Sequence, residues 1–107
     1  MNNRLQAGSI FHKRFQIQQL LSSAGGFGIT YLARDMDMFG ELRVIKQLRS
    51  ESVHDPKALQ LFEREARILC QLKHPQIPKL HAFFSDANGY YLVQDYIEGQ
   101  TLRQILN

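Results

Sequence analysis

The stretch SSAGGFGITYLA, Ser22–Ala33, decides between two folds. Glycines in this arrangement either hold a phosphate ahead of a helix or turn a corner between two strands. A dinucleotide-binding fold needs a helix to open directly after the glycines, because the phosphate sits on that helix's first N–H groups. Here ITYLA follows, rich in β-branched and aromatic residues, and reads as a strand. The glycines therefore turn a hairpin. Upstream, FQIQQLL from Phe15 alternates apolar and polar, as a half-buried strand does. Downstream, DMDMFGE carries Asp and Gly turn chemistry, and LRVIKQL alternates again. Three strands with short connections make an antiparallel meander.

Beyond them, HDPKALQLFEREARILCQL opens with Asp55, a good N-cap, and Pro56, suited to the first helical position. Leu61, Phe62, Ile68, Leu69 and Leu72 recur at helical spacing and predict an amphipathic helix. The two prolines of KHPQIPKL end it, with His74 expected to tie down the turn by hydrogen bonds. LHAFFS and YYLVQDYI flank DANG and predict a hairpin with an Asn-Gly turn. GQTLRQILN reads as the start of a further helix. The expected fold class is α+β: a five-stranded antiparallel sheet with one main helix. The whole of 1–107 reads as one domain, with 1–14 as an N-terminal extension.

Composition narrows the function classes. Hydrophobic residues make up 44% of the 107-residue chain and charged residues 21%, as in ordinary soluble domains. The net charge of +3 is spread along the chain without a basic run, so no nucleic-acid partner is expected. A single cysteine, Cys70, excludes an internal disulfide and reads as a small, partly buried residue. No apolar run approaches a membrane span, and MNNRLQAGSIFHKRF lacks the apolar core of a signal peptide. A cytoplasmic setting is expected. His12, His54, His74 and His81 lack metal-ligand spacing, so no metal site is predicted.

Two charges break their local pattern. Alternation in LRVIKQL places Leu42, Val44, Lys46 and Leu48 on one face, so a lysine stands in an apolar row. Glu65 lies in the middle of the helix's apolar stripe, four after Leu61 and four before Leu69. A charge facing a core is costly unless paired. One cation and one anion on adjacent elements predict each other as partners.

That constellation resembles the amino-terminal lobe of protein kinases, and its phrasing is closest to the eukaryotic-type serine/threonine kinases of bacteria. SAGGFGIT stands at the Gly-rich loop, VIK at the strand lysine, FEREARIL at helix C, and YYLVQDYIEGQTL at the strand running into the hinge. The resemblance covers the chain from about Phe15 onward and implies that ATP is bound. Ser23, Ala24, Gly25, Gly26, Phe27 and Gly28 would form the lid over its phosphates. Lys46, held by Glu65, would contact the α- and β-phosphates. Thr30 and Val44 would pack on the adenine, with Gln94 at the gatekeeper position and backbone groups of Asp95 and Ile97 at the adenine edge. Three departures stand out: Ser22 replaces the usual apolar residue before the loop, Ser23 its usual first glycine, and Thr30 the usual valine.

The sequence contains neither the H-R-D-x-x-x-x-N catalytic loop nor a D-F-G metal site, and DMFG at Asp37–Gly40 reads as a turn. Without the second lobe that carries them, the chain is not expected to transfer phosphate alone, to bind Mg-ATP, or to engage a protein substrate. The surface facing that lobe is expected to drive self-association. A second reading is a degenerate half-domain acting as a non-catalytic interaction or regulatory module.

Overall fold

The structure, a computed structural model, describes residues 4–23, 28–48, 53–87 and 89–97. Its elements are β1 (Ile10–Phe11), β2 (Phe15–Ser22), β3 (Gly28–Asp35), β4 (Glu41–Leu48), α1 (Pro56–Gln71), β5 (Leu80–Asp86) and β6 (Gly89–Asp95). All strands pair antiparallel in one sheet of order β1-β2-β3-β4-β6-β5. The expected meander is β2-β3-β4. After α1, the hairpin β5–β6 returns with β6, not β5, against β4.

The sheet has six strands rather than five. The extra one, β1, comes from the segment read as an extension. Two residues are too short to show a period, and its turn lacks glycine: His12 and Lys13 both take left-handed φ, 52° and 59°. Tertiary contacts hold this turn. The His12 ring stacks on Phe84 of β5 with centroids 4.3 Å apart, and its Nε2 lies 3.0 Å from an oxygen of Asp86. Since β1 and β5 are the two outermost strands, the sheet is curled until its edges meet through side chains. Inside the curl lies a core of Phe11, Phe15, Ile17, Ile29, Tyr31, Ala33, Ile45, Tyr91 and Val93.

The helix covers the other face. Asp55 caps it, its Oδ1 accepting from the Lys57 N–H at 3.0 Å, and Pro56 opens it. Ala58, Phe62, Ala66 and Leu69 bury against the sheet, with Phe62, Leu48 and Leu92 at the centre of a second core. The buried stripe is thus narrower than the apolar stripe in the sequence. Leu61, Ile68 and Leu72 are 43%, 44% and 46% exposed, and alanines do the close packing instead. Cys70 is exposed rather than partly buried. At the helix's end, His74 Nδ1 accepts from the Gln76 N–H and its carbonyl from the Ile77 N–H, fixing the turn. DMFG is a turn, with Met36–Met38 in a 3-10 helix and Phe39 left-handed at φ 58°. Asp86 pairs with Gly89, so the glycine of DANG begins β6, while Asn88 lies outside the described residues. The predicted further helix, at 99–107, also lies outside them.

Candidate functional site

Strand register assembles one face. Lys46 at the middle of β4 is paired with Thr30 on β3 and Leu92 on β6, while Val44 is paired with Leu32 and Gln94. Opposed residues share a face, so Gly28, Thr30, Val44, Lys46 and Gln94 lie on the same face of the sheet as Leu48 and Leu92, which pack against α1. Glu65 stands on the sheet-facing side of the helix, between Phe62 and Leu69. Its two carboxylate oxygens each accept from Lys46 Nζ at 2.9 Å. The predicted pair therefore forms. Its side chains are 16% and 18% exposed, so it stands at the border of the core rather than deep inside it.

Gly28 serves this pair by what it lacks. A Cβ built there would lie 2.6 Å from Cε of Lys46 and 3.1 Å from its Cγ. The missing side chain lets the lysine stem pass across β3 in this course on its way to Glu65, and a methyl there would make the stem shift. Of the other residues expected at the phosphates, Ser23 follows β2, and Ala24, Gly25, Gly26 and Phe27 lie outside the described residues. The Thr30 hydroxyl donates to the Ser22 carbonyl at 3.4 Å, tying the two arms of the hairpin below its tip. Thr30, Val44 and Gln94 are all buried.

Asp95 ends β6, and Ile97 lies two residues beyond it. The Asp95 N–H donates to the Lys79 carbonyl at 3.0 Å, so that backbone donor belongs to the sheet. The Asp95 side chain turns away from Lys46, into a charged network that the sequence reading missed. Its carboxylate meets His81 Nε2 at 2.5 Å, the Lys79 N–H at 3.1 Å and the Arg43 guanidinium at 3.7 Å. Arg43 in turn lies 3.3 Å from Asp35, which takes a two-point grip from Arg14 at 2.8 Å and 2.8 Å. Burial pushes the Asp95 carboxyl up, but His81, the Lys79 N–H and Arg43 together outweigh it and hold it below the usual range. Hydrogen bonding from Arg14, against the cost of burial, holds Asp35 low as well. The network ties the ends of β3, β4 and β6 to Arg14, beside β2, and so fixes the strand end that leads past Gln94.

A second missed group lies inside the curl. The Tyr31 hydroxyl donates to Gln47 Oε1 at 2.7 Å and accepts from the Leu5 N–H at 3.1 Å, while Gln47 Nε2 reaches the Tyr91 hydroxyl at 3.5 Å. Burial, with Asp86 nearby, pushes Tyr91 up to about 12. The available signal was polar residues in apolar rows: Arg43 and Gln47 flank Ile45, and Asp35 follows Ala33.

A curled antiparallel sheet, one capped helix across it, and a lysine–glutamate grip between them define the amino-terminal half of a protein kinase fold. The protein kinase domain family matches residues 16–107, and the chain belongs to that family. It is 43% identical over 97 residues to serine/threonine-protein kinase B of Synechocystis sp., covering 85% of this chain and 17% of that protein. With serine/threonine-protein kinase D of the same organism the identity is 41% over 99 residues, 86% of this chain and 19% of that one. The probable serine/threonine-protein kinase YbdM of Bacillus subtilis is 33% identical over 103 residues, 95% of this chain and 39% of that one. The chain thus spans under a fifth of the length of the Synechocystis kinases.

Among solved structures, the apo form of PpkA-294 superposes with a TM-score of 0.73 at 25% identity, covering 96% of this chain and 42% of that one. The PknI kinase domain of Mycobacterium tuberculosis gives 0.71 at 23% identity, covering 94% and 39%. The likeness to PknI shows the fold. Among the described residues, no helix is long and apolar enough to cross a membrane.

Proposed function

We propose that this chain is the ATP-gripping part of a bacterial serine/threonine kinase. The observation that carries the reading is the double contact of Lys46 with Glu65, its stem passing close over Gly28. A glutamate holding both ends of its carboxylate on one ammonium fixes where that positive charge sits. An oriented ammonium suits the phosphates of a nucleotide. Thr30 and Val44 supply the apolar and methyl-bearing wall on which a purine would rest, and the Asp95 carbonyl and the Ile97 backbone would meet its edge. When bound, ATP supplies the transferable phosphoryl group. The residues of this chain bind and orient it, and the groups that activate an acceptor hydroxyl are not among the motifs it carries. Protein substrates belong to this proposal only through the family.

A second reading is favoured by the burial of Thr30 and Val44, at 6% and 2% exposure, which leaves little of that wall accessible. On it, the chain is a non-catalytic interaction module. Calorimetric titration with ATP separates the two. Saturable binding that weakens about tenfold or more in Lys46→Ala supports the nucleotide grip, since a charge-assisted phosphate contact is worth roughly 1.5–3 kcal/mol. A titration without heat up to millimolar ATP supports the module.

A further inference from the structure

The end of β6 is held by an irregularity in its neighbour. Along the β5–β6 ladder Leu80 opposes Gln94, but the next pair is Ala82 with Val93, so His81 is the extra residue of a β-bulge. In an unbroken ladder His81 would stand opposite Val93 and drive its imidazole into the core inside the curl. With the bulge, Ala82 packs there instead, and the His81 ring turns to the strand end. Its Nε2 lies 2.5 Å from Oδ1 of Asp95, while the Lys79 N–H donates to Oδ2 at 3.1 Å and the Lys79 carbonyl accepts from the Asp95 N–H at 3.0 Å. An ionised carboxylate only accepts, so Nε2 is the donor. Lys79 and His81 thus grip one residue through its backbone and both its carboxylate oxygens. Gln94, just before it, adds no side-chain bond: its amide is buried without a hydrogen-bond partner among the described residues. An apolar residue at position 81 would serve packing in a regular ladder, so the bulge and its histidine are unexplained by the core.

We infer that His81 is a positioning residue for the nucleotide: through the bulge it holds Asp95, and so sets where the Asp95 carbonyl stands against the amino group of a purine. This role rests on the nucleotide reading above, which puts that carbonyl at the edge of the base, and adds the side chain that fixes it. Asp95 is the last residue of β6 and of its ladder with β4. The grip on its side chain therefore carries the order of the sheet to the point where the ladder stops.

The experiment measures binding of ATP and of purine riboside triphosphate, which lacks only the six-amino group, to the wild-type chain, His81→Leu and His81→Gln. Leucine removes the donor, and glutamine returns an amide N–H at about the reach of Nε2. Wild type is expected to bind ATP about fivefold more tightly than the analogue, the preference that one carbonyl–amino hydrogen bond brings. That ratio is expected to fall below about twofold in His81→Leu and to return in His81→Gln. A general loosening of the fold would weaken both nucleotides alike and leave the ratio where it was. A ratio unchanged in His81→Leu overturns the inference, as does one lost in both variants, or equal binding of the two nucleotides by wild type. Absence of any ATP binding by wild type overturns the nucleotide reading itself, and the role of His81 with it.

Discussion

Asparagine in place of Asp35 tests whether the charged network holds the strand ends together. Asp35 is fully buried, and its carboxylate takes two hydrogen bonds from Arg14 at 2.8 Å, one from the Asp37 N–H at 3.2 Å, and the charge of Arg43 at 3.3 Å. Asparagine keeps the shape but turns one acceptor into a donor facing a guanidinium. The two arginines then fare differently. Arg14 is 28% exposed and 3.8 Å from Asp37, so it can turn toward water and that second carboxylate. The Arg43 side chain is 8% exposed, and its remaining anion, Asp95, lies at 3.7 Å and already serves His81. One stranded charge of this kind costs about 3–5 kcal/mol, and the freedom of Arg14 favours the lower end, about 3 kcal/mol. A domain of this size has roughly 5–15 kcal/mol in all, so much of the margin goes. Urea unfolding followed by circular dichroism is expected to show the midpoint falling by about 2 M at unchanged slope. Asp37→Asn, at an exposed carboxylate, is the control and is expected to change stability by under about 0.5 kcal/mol. A loss below about 1 kcal/mol for Asp35→Asn, or one no larger than the control's, refutes the reasoning.

Two further outcomes follow from the same geometry. Asp35 and Asp95 both have folded pKa values below their unfolded ones, so the stability they contribute is present above about pH 4 and is lost as pH falls through the folded values. Calorimetric melting from pH 6 down to 2.5 is expected to show the acid-side fall, less steep in Asp35→Asn; identical slopes would count against the network. Gly28→Ala adds a methyl 2.6 Å from Lys46 Cε, a flexible stem that can move aside. The fold is expected to survive at a cost of about 1 kcal/mol, while ATP affinity falls as the ammonium leaves its place over Glu65. An alanine variant with wild-type ATP affinity would remove Gly28 from that role.

Much of the site was legible locally because its signals are exceptions to period. Lys46 in an alternating row and Glu65 in a helical stripe each stand out within a few residues, and their elements are adjacent in the chain. The helix was readable from Asp55 and Pro56, yet which of its apolar residues meet the sheet was not. Ala58 and Ala66 lie inward and Leu61 and Ile68 outward, because close approach of a helix to a sheet favours small side chains at the contact. The two-residue β1 escaped because its stability comes from Phe84 and Asp86, more than seventy residues away: His12 and Asp86 are 74 positions apart.

The sequence by itself determined the class of fold, the order of its elements from β2 to β6 and the Lys46–Glu65 pair, since period, caps and turn residues act over short spans of chain. Tertiary structure alone decided the rest: the closure of the curl at His12, the joining of Arg14, Asp35, Arg43, Asp95 and His81, and the contrast between a satisfied Gln47 and an orphan Gln94. Those depend on which distant strand ends meet. A buried polar group is cheap or costly according to a partner that its own neighbours in sequence do not name.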